Sequence, residues 1–446
     1  MNGFLNKADL LKGYISRILM KAMEHDMKID KKLVIIVDAY GPARYFQHYL
    51  KKEGYLCAHL LGTPNSLPRL RLFDLEHYDA TLVHGGDFAE TVANITALAR
   101  DLDASLCEIL PGVEPGVLLA DKLSHHFNLN SNGIEKSLAR RDKSVMANVL
   151  TAARVPIPAY CRTSRLDDVL AFANHHEWPL VLKPLDSAGT NGVYFCHSKE
   201  ELKQAFHQVI GVENNMGTIN QAVLVQTFLH GKEYMVNTVS CNGKHYVSDI
   251  WYADKTRVEG YAQIYNKNHL INSSSVEYDI LKNYVFTVLE ALNIKYGPAH
   301  TEVIITPDGP FLVEIASRIS GAVDPQFNQA CLGTDQIELT LESYLQPEKF
   351  LQRINQSYNV KKHGLQIFLS SKKTGKIISM DLAYHLSKIP SVINYSLKSK
   401  IGDILLKTFD LSSSPGMVHL VGEDEKALLN DYQHVLDLFE RYVQVE

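Results

Sequence analysis

Phe311-Leu312-Val313-Glu314-Ile315-Ala316-Ser317-Arg318-Ile319-Ser320-Gly321 alternates in the manner of a β-strand. Side chains two apart on a strand share a face, so Glu314, Ala316 and Arg318 line up together while Phe311, Val313 and Ile315 turn to the core. A cation beside an acid on an apolar strand points to a polyanion and its metal. Upstream, Gly297-Pro298-Ala299-His300-Thr301-Glu302-Val303-Ile304-Ile305-Thr306 alternates in the same way. Pro307-Asp308-Gly309-Pro310 is turn chemistry that folds one run antiparallel onto the other. Glu302 and Glu314 then face one another across a hairpin. Hard divalent cations such as magnesium take one or two carboxylates together with phosphate and water oxygens. A surface hairpin whose acids pair with Arg318 is the competing reading at this point.

Three further elements weigh against that plain hairpin. Pro179-Leu180-Val181-Leu182-Lys183-Pro184 is a short apolar strand ending in a lysine, followed by Leu185-Asp186-Ser187-Ala188-Gly189-Thr190-Asn191-Gly192 and a second apolar run, Val193 to Cys196. Small residues with free N–H groups and hydroxyls form anion-binding concavities, and glycine admits close approach of a phosphate. The loop leads to a strand, so the helix-dipole device of a P-loop is missing, and a plain flexible turn fits the loop equally well. Asp142 is a candidate N-cap for a helix carrying Val145, Met146, Val149 and Leu150, with Lys143 in its first turn. A cation there opposes the helix dipole by about 0.3–1 kcal/mol, so a negative group should compensate it, unless Lys143 belongs to a solvated basic patch. Finally, Val223 to Val239 reads as two strands flanking a bend at Gly231. Its apolar edge followed by Glu233 suits an adenine between hydrophobic walls with the ribose on the acid, or else an ordinary hairpin with an exposed Glu233.

Taken as an ordered set, Lys143, Lys183 with the Ser187-to-Gly192 loop, the Gln226-to-Glu233 bend, Glu302 and the Glu314/Arg318 strand resemble the ATP-grasp carboxylate ligases over residues 30 to 345. The resemblance implies an α/β and α+β architecture: an N-terminal Rossmann-like domain, the ATP-grasp fold, and a small C-terminal α+β cap. It implies that Lys143 and Lys183 hold the α- and β-phosphates of ATP, and that Ser187, Gly189, Thr190 and Gly192 belong to a mobile lid over the β- and γ-phosphates. Gln226 and the backbone of Phe228 and Leu229 would read adenine, with Glu233 on the ribose. Glu302 and Glu314 would bind Mg2+, or Mn2+ in its place, and Arg318 would face the transferred phosphoryl group.

Two departures stand out. The family usually has asparagine two residues after the second metal-binding glutamate, where this chain has Ala316, and Gln226 replaces a commoner glutamate while keeping donor and acceptor capacity. Alanine followed two residues later by arginine is similar to the L-amino-acid ligase branch, as are Val247-Ser248-Asp249-Ile250-Trp251-Tyr252-Ala253-Asp254-Lys255 and Val113 to Asp121. That branch joins a small acid or amino acid to an amino acid. Trp251, Tyr252, His300, Ser320 and Gly321 are the candidate substrate contacts, with packing or turn roles as their alternatives.

The 446 residues give room for about three domains. We place an α/β domain over 1–127, a catalytic domain over 128–350 with its lid subdomain near 180–230, and an α+β domain over 351–446. Leu33 to Asp38, Ala80 to His84 and Ser105 to Ile109 are the expected strands of the first domain, separated by a helix over Phe88 to Leu102. Gly85-Gly86-Asp87 and Glu114-Pro115-Gly116 follow strand ends, where open sheets bind ligands, although tight-turn chemistry also accounts for their glycines. A formal net charge of −5 without long basic blocks disfavours nucleic acid. Six scattered cysteines without a CxxC pair indicate reduced thiols and no structural zinc. Leu10, Leu11, Tyr14, Ile18 and Leu19 follow helical spacing, and nothing in the chain is long enough to span a bilayer. The cytoplasm is the expected compartment, amino acids or related acids and amines the expected partners, and a homodimer an assembly compatible with such an enzyme.

A free carboxylate resists attack by an amine, so activation must precede amide formation. No Ser/His/Asp or Cys/His nucleophile set is evident, which suits a route through an acyl phosphate of the substrate. The expectation is therefore an ADP-forming carboxylate–amine ligase producing a dipeptide or similar amide. The alternatives are a ligase of the same fold with another acid or amine, and a nucleotide-binding sensor without chemistry.

Overall fold

The computed structural model describes residues 31–62, 77–185, 192–214, 217–257 and 263–446. The helix expected over Leu10 to Leu19 and the lid residues Ser187, Gly189 and Thr190 lie outside the described residues.

Four parallel strands, β1 (Lys31–Val37), β2 (Leu56–Leu61), β3 (Ala80–Val83) and β4 (Ala104–Pro111), form the first sheet in the order β3-β2-β1-β4. Leu33 to Val37 are fully buried because helices cover both faces of such a sheet. Strand β2 escaped the sequence reading: it is short and carries His59, which is buried between the rings of Tyr40 and Tyr78 at 5.5 and 5.4 Å. The Gly85-Gly86-Asp87 turn caps helix Phe88–Asp101, since Asp87 Oδ1 accepts the N–H groups of Ala89 and Glu90.

The second sheet is antiparallel and small. It consists of β5 (Tyr160–Thr163), β6 (Leu180–Pro184), β7 (Tyr194–Cys196) and β8 (Val223–Thr227), in the order β5-β8-β6-β7. Leu180 and Leu182 pack beneath it with Val169, Leu202 and Phe206 of two helices. Strand alternation therefore turns Val181 and Lys183 to the opposite face.

The third sheet carries most of the catalytic candidates. Strands β9 (Lys232–Cys241), β10 (Lys244–Arg257), β11 (Gln263–Leu270), β12 (Gly297–Thr306), β13 (Gly309–Ala316), β14 (His363–Leu369), β16 (Val392–Leu397) and β18 (Gly416–Gly422) run β13-β12-β9-β10-β11-β14-β18-β16. The C-terminal segment thus extends the catalytic sheet through the β11–β14 pairing. Strands β15 (Gly375–Met380), β17 (Ile404–Leu405) and β19 (Val443–Val445) form a separate three-stranded sheet, and helix Glu425–Tyr442 packs its apolar side on β14 and β18.

The hairpin folds in the register that places Glu302 opposite Glu314, and a bulge follows at once between Glu302 and Val303. Bulges re-aim side chains. Strand β13 ends at Ala316, so Arg318 lies in the bend beyond it and does not continue the strand face shared by Glu314. The bend from β8 into β9 presses on β12, where a Cβ on Gly231 would meet the Ile305 carbonyl oxygen at 2.1 Å. Only glycine allows that approach.

Candidate active site

Between the small sheet and the eight-stranded sheet lies a cavity of about 750 Å³, within the range that holds a cofactor-sized ligand. Val181, Phe195, Gln226, Phe228 and Leu229 form its apolar side, with Phe195 and Phe228 meeting edge to face at 5.6 Å. Gln226, Phe228, Leu229 and Glu233, expected to surround adenine and ribose, all line this cavity. Gly192 closes the turn into β7 with φ +71°, against the ring of Pro184.

Cations come from both sides. Lys143 opens helix Lys143–Ala152, whose N-cap Asp142 accepts from the Ser144 and Val145 N–H groups at 2.8 and 3.0 Å. Its ammonium is compensated by Glu314 Oε1 at 2.9 Å. Lys183 is 5% exposed. Burial and the Lys143 charge lower its pKa to about 8, against the upward pull of Glu314, Glu302 and Glu233.

Glu302 and Glu314 both line the cavity. Burial pushes Glu302 toward its neutral form, but the hydrogen bond from His300 and the charges of Lys255, His300 and Arg318 outweigh it and bring its pKa to about 2. An ionised carboxylate at that place supplies hard oxygen donors. Among the described residues no cluster of three or more His, Cys, Asp or Glu side chains could hold a metal. Two carboxylates with space for phosphate and water oxygens fit magnesium and do not fit a structural zinc set. Ala316, buried opposite His300, brings no ligand atom.

Arg318 reaches the turn that follows β4 of the first sheet. Its Nε lies 3.1 Å from Glu114 Oε2, while Arg141 Nη1 donates to Glu114 Oε1 at 2.6 Å. The two guanidiniums hold the Glu114 carboxyl below its usual range despite the opposing effect of burial. The competing picture, in which the hairpin acids pair with Arg318, is not what forms: Glu314 pairs with Lys143 and Arg318 with Glu114. Glu114 thus links the turn after β4 to the cavity residue Arg318.

Lys255, in the segment that resembles the L-amino-acid ligase branch, also lines the cavity. It pairs with Glu233 at 2.6 Å and sits 4.1 Å from the Tyr265 ring centroid. Burial favours its neutral form, yet Glu233 and Tyr265 carry its pKa above the ordinary value. Strand period was the available signal, because Ala253 opposes Glu233 in register and Lys255 follows two places on.

The substrate candidates divide. Tyr252, His300, Ser320 and Gly321 line the cavity. Trp251 does not: it is 3% exposed, stacks on Phe327 at 5.4 Å and donates its indole N–H to Asp249. The Ser320 backbone N–H is already engaged, donating to Gln336 Oε1 at 2.7 Å.

Residues 176–326 match the model of the ATP-grasp domain. Dapdiamide A synthase of Enterobacter agglomerans is 32% identical over 409 residues, covering 90% of this chain and 94% of that protein. The L-arginine-specific L-amino acid ligase of Bacillus subtilis is 22% identical over 336 residues, 74% of this chain and 78% of that one. The crystal structure of an L-amino acid ligase from Bacillus licheniformis superposes with a TM-score of 0.73 at 17% identity, covering 92% of this chain and 98% of that chain.

Proposed function

This chain belongs to the ATP-grasp family, and from that premise we propose how its cavity activates a small acid and joins it to an amino-acid-like amine. It is an ATP-dependent, ADP-forming carboxylate–amine ligase that makes an amide or dipeptide bond. The observation that carries the residue assignment is the register of β12 on β13, which sets Glu302 and Glu314 side by side in a cavity that also receives Lys143, Lys183 and Arg318.

In this reading adenine lies against Phe195, Phe228 and Leu229 with Gln226 at its polar edge, and Glu233 meets the ribose. Lys143 and Lys183 neutralise the phosphates. Glu302 and Glu314 would hold Mg2+, which when bound would supply positive charge against the charge that develops on the phosphates. The carboxylate oxygen of the first substrate attacks the γ-phosphorus in line, ADP leaves, and an acyl phosphate remains. Phosphoryl transfer of this kind needs positioning and charge neutralisation more than a protein nucleophile. The amine then attacks the acyl carbon, and inorganic phosphate departs with the former carboxylate oxygen. Arg318, steadied by Glu114, stabilises the oxyanion of that second step.

The names of dapdiamide A synthase and of the L-arginine-specific L-amino acid ligase support amide formation on amino-acid substrates. Release of ADP and phosphate, measured across pairs of amino acids and small acids, tests the assignment. Release that requires both members of a pair supports it, and release indifferent to the amine contradicts it.

A further inference from the structure

Strand β13 has ended before Arg318, so the bend from Ser317 to Ala322 must fix the direction of the guanidinium. Its Nη1 donates to the carbonyl oxygen of Ile319 at 2.9 Å. That carbonyl shares a peptide unit with the Ser320 N–H, which donates to Gln336 Oε1 at 2.7 Å. A peptide unit is planar and trans, with its C=O and N–H directed to opposite sides. Gln336 on one side and Arg318 on the other therefore grip a single rigid plate.

The orientation of the glutamine amide is fixed by its other partners. Gln336 Nε2 lies 3.1 Å from the Thr238 carbonyl oxygen and 3.0 Å from that of Ala299, and carbonyl oxygens only accept. The NH2 end must face them, which leaves Oε1 for Ser320. Gln336 opens helix Gln336–Leu345 and is fully buried, whereas Thr238 and Ala299 are a cross-strand pair of β9 and β12. One side chain thus ties the bend to the strands that carry Glu233 and Glu302. A second glutamine holds the far end of the bend. Gln366 of β14 is 2% exposed, donates to the Ala322 carbonyl oxygen at 2.9 Å and accepts from Asn268 Nδ2 at 3.0 Å.

We propose that Gln336 is a positioning residue for Arg318, acting through the Ile319–Ser320 peptide, and that Gln366 assists it from the C-terminal segment. The proposal rests on the ligase reading above, in which Arg318 meets the oxyanion. Arg318 has Glu114 beside Nε and Ile319 at Nη1, and among the described residues its Nη2 has no partner. A guanidinium is planar, so fixing two of its nitrogens fixes the third. A preorganised donor lowers the barrier only while it stays in place, and displacement by about 1 Å can cost a hundredfold in rate. Buried amides with every group satisfied make their surroundings rigid. Filling the space needs only an apolar side chain of this length, whereas holding the peptide plate needs the amide.

Gln336→Met keeps the length of the side chain and deletes its hydrogen bonds, and Gln366→Met does the same at the far end. Each is made alone and together with Arg318→Ala. The kcat and the KM for ATP are measured with an acid–amine pair found by the ADP-release panel, with melting curves recorded beside them. With Arg318 present, kcat should fall about tenfold or more in Gln336→Met and by less in Gln366→Met, while the KM for ATP stays within about twofold of wild type. In the Arg318→Ala background the same substitutions should change kcat by less than about twofold, because the group they aim is gone. Losses by the same factor with and without Arg318 would mean a merely structural role and overturn the proposal, as would wild-type kcat in a folded Gln336→Met. Should Gln336→Met not fold, the Gln366→Met cycle decides: coupling to Arg318 supports the proposal and additivity overturns it. Normal turnover in Arg318→Ala alone would remove Arg318 from the reaction and this proposal with it, whereas the ligase reading stands or falls by the ADP-release panel.

Discussion

Arg318 is attached to the protein by Glu114 on one side and opens to the cavity on the other. A preorganised cation directed at a developing oxyanion contributes a few kcal/mol to the barrier and little to ground-state nucleotide binding. Arg318→Ala should lower turnover about a hundredfold or more with the Kd for ATP little changed, as read by steady-state rates alongside calorimetric titration. Lys183 gives the pH signature. With a pKa near 8 in the free protein, it is charged below that pH and loses its proton above it. The triphosphate favours the charged form, so nucleotide binding above pH 8 must take up a proton. The KM for ATP should therefore rise as pH passes about 8, and Lys183→Arg should flatten the rise because a guanidinium stays protonated. Both residues were legible in the sequence. The partner of Arg318 was not: Glu114 reaches it from the turn after β4, far away in sequence, and no periodicity encodes that meeting. Trp251 shows the converse difficulty, since an aromatic residue on a strand fits a pocket wall or a core equally well until its stacking on Phe327 is seen.

At the level of elements, the β12–β13 hairpin was the most readable feature, because a two-residue period and a turn of Pro307-Asp308-Gly309 fix which acids meet. Where the strand ends was less readable. Ile315 and Ala316 close β13 in the core, and Arg318 is released into the bend that follows. Strand β2 was missed because five apolar residues and one histidine carry too short a pattern to distinguish strand from loop. The hairpin also carries a prediction. Glu302→Gln keeps the shape of the side chain while deleting its charge, so the magnesium concentration for half-maximal rate should rise about tenfold or more. A magnesium titration of activity, with the melting curve recorded beside it, separates a lost ligand from a lost fold.

At the scale of the whole molecule, the eight-stranded sheet joins what the sequence suggested were a catalytic domain and a cap. Strands β14, β18 and β16 continue it from β11, and Tyr265 packs on Phe368 at 5.1 Å. The cavity is accordingly lined from the C-terminal segment too, by Phe368, Lys398 and Met417. A chain ending at residue 362 should lose nucleotide binding and cooperative melting together, because β11 becomes a bare edge and one cavity wall disappears. A truncated protein that melts cooperatively and binds ATP would show the segment to be dispensable. Among the described residues no helix is long and apolar enough to cross a membrane. The alternation of strands and helices conveyed the fold class, but the pairing of β11 with β14 could not be read, since strands so far apart in sequence share no local pattern.

The central claim is that the acid is activated by passing one of its oxygens to the γ-phosphoryl group of ATP. Supplying the donor acid with an 18O-labelled carboxylate and analysing the released phosphate by mass spectrometry tests it most directly. One labelled oxygen in phosphate for each amide formed, with ADP as the nucleotide product, is the predicted outcome. Unlabelled phosphate, or release of AMP and pyrophosphate, would contradict it.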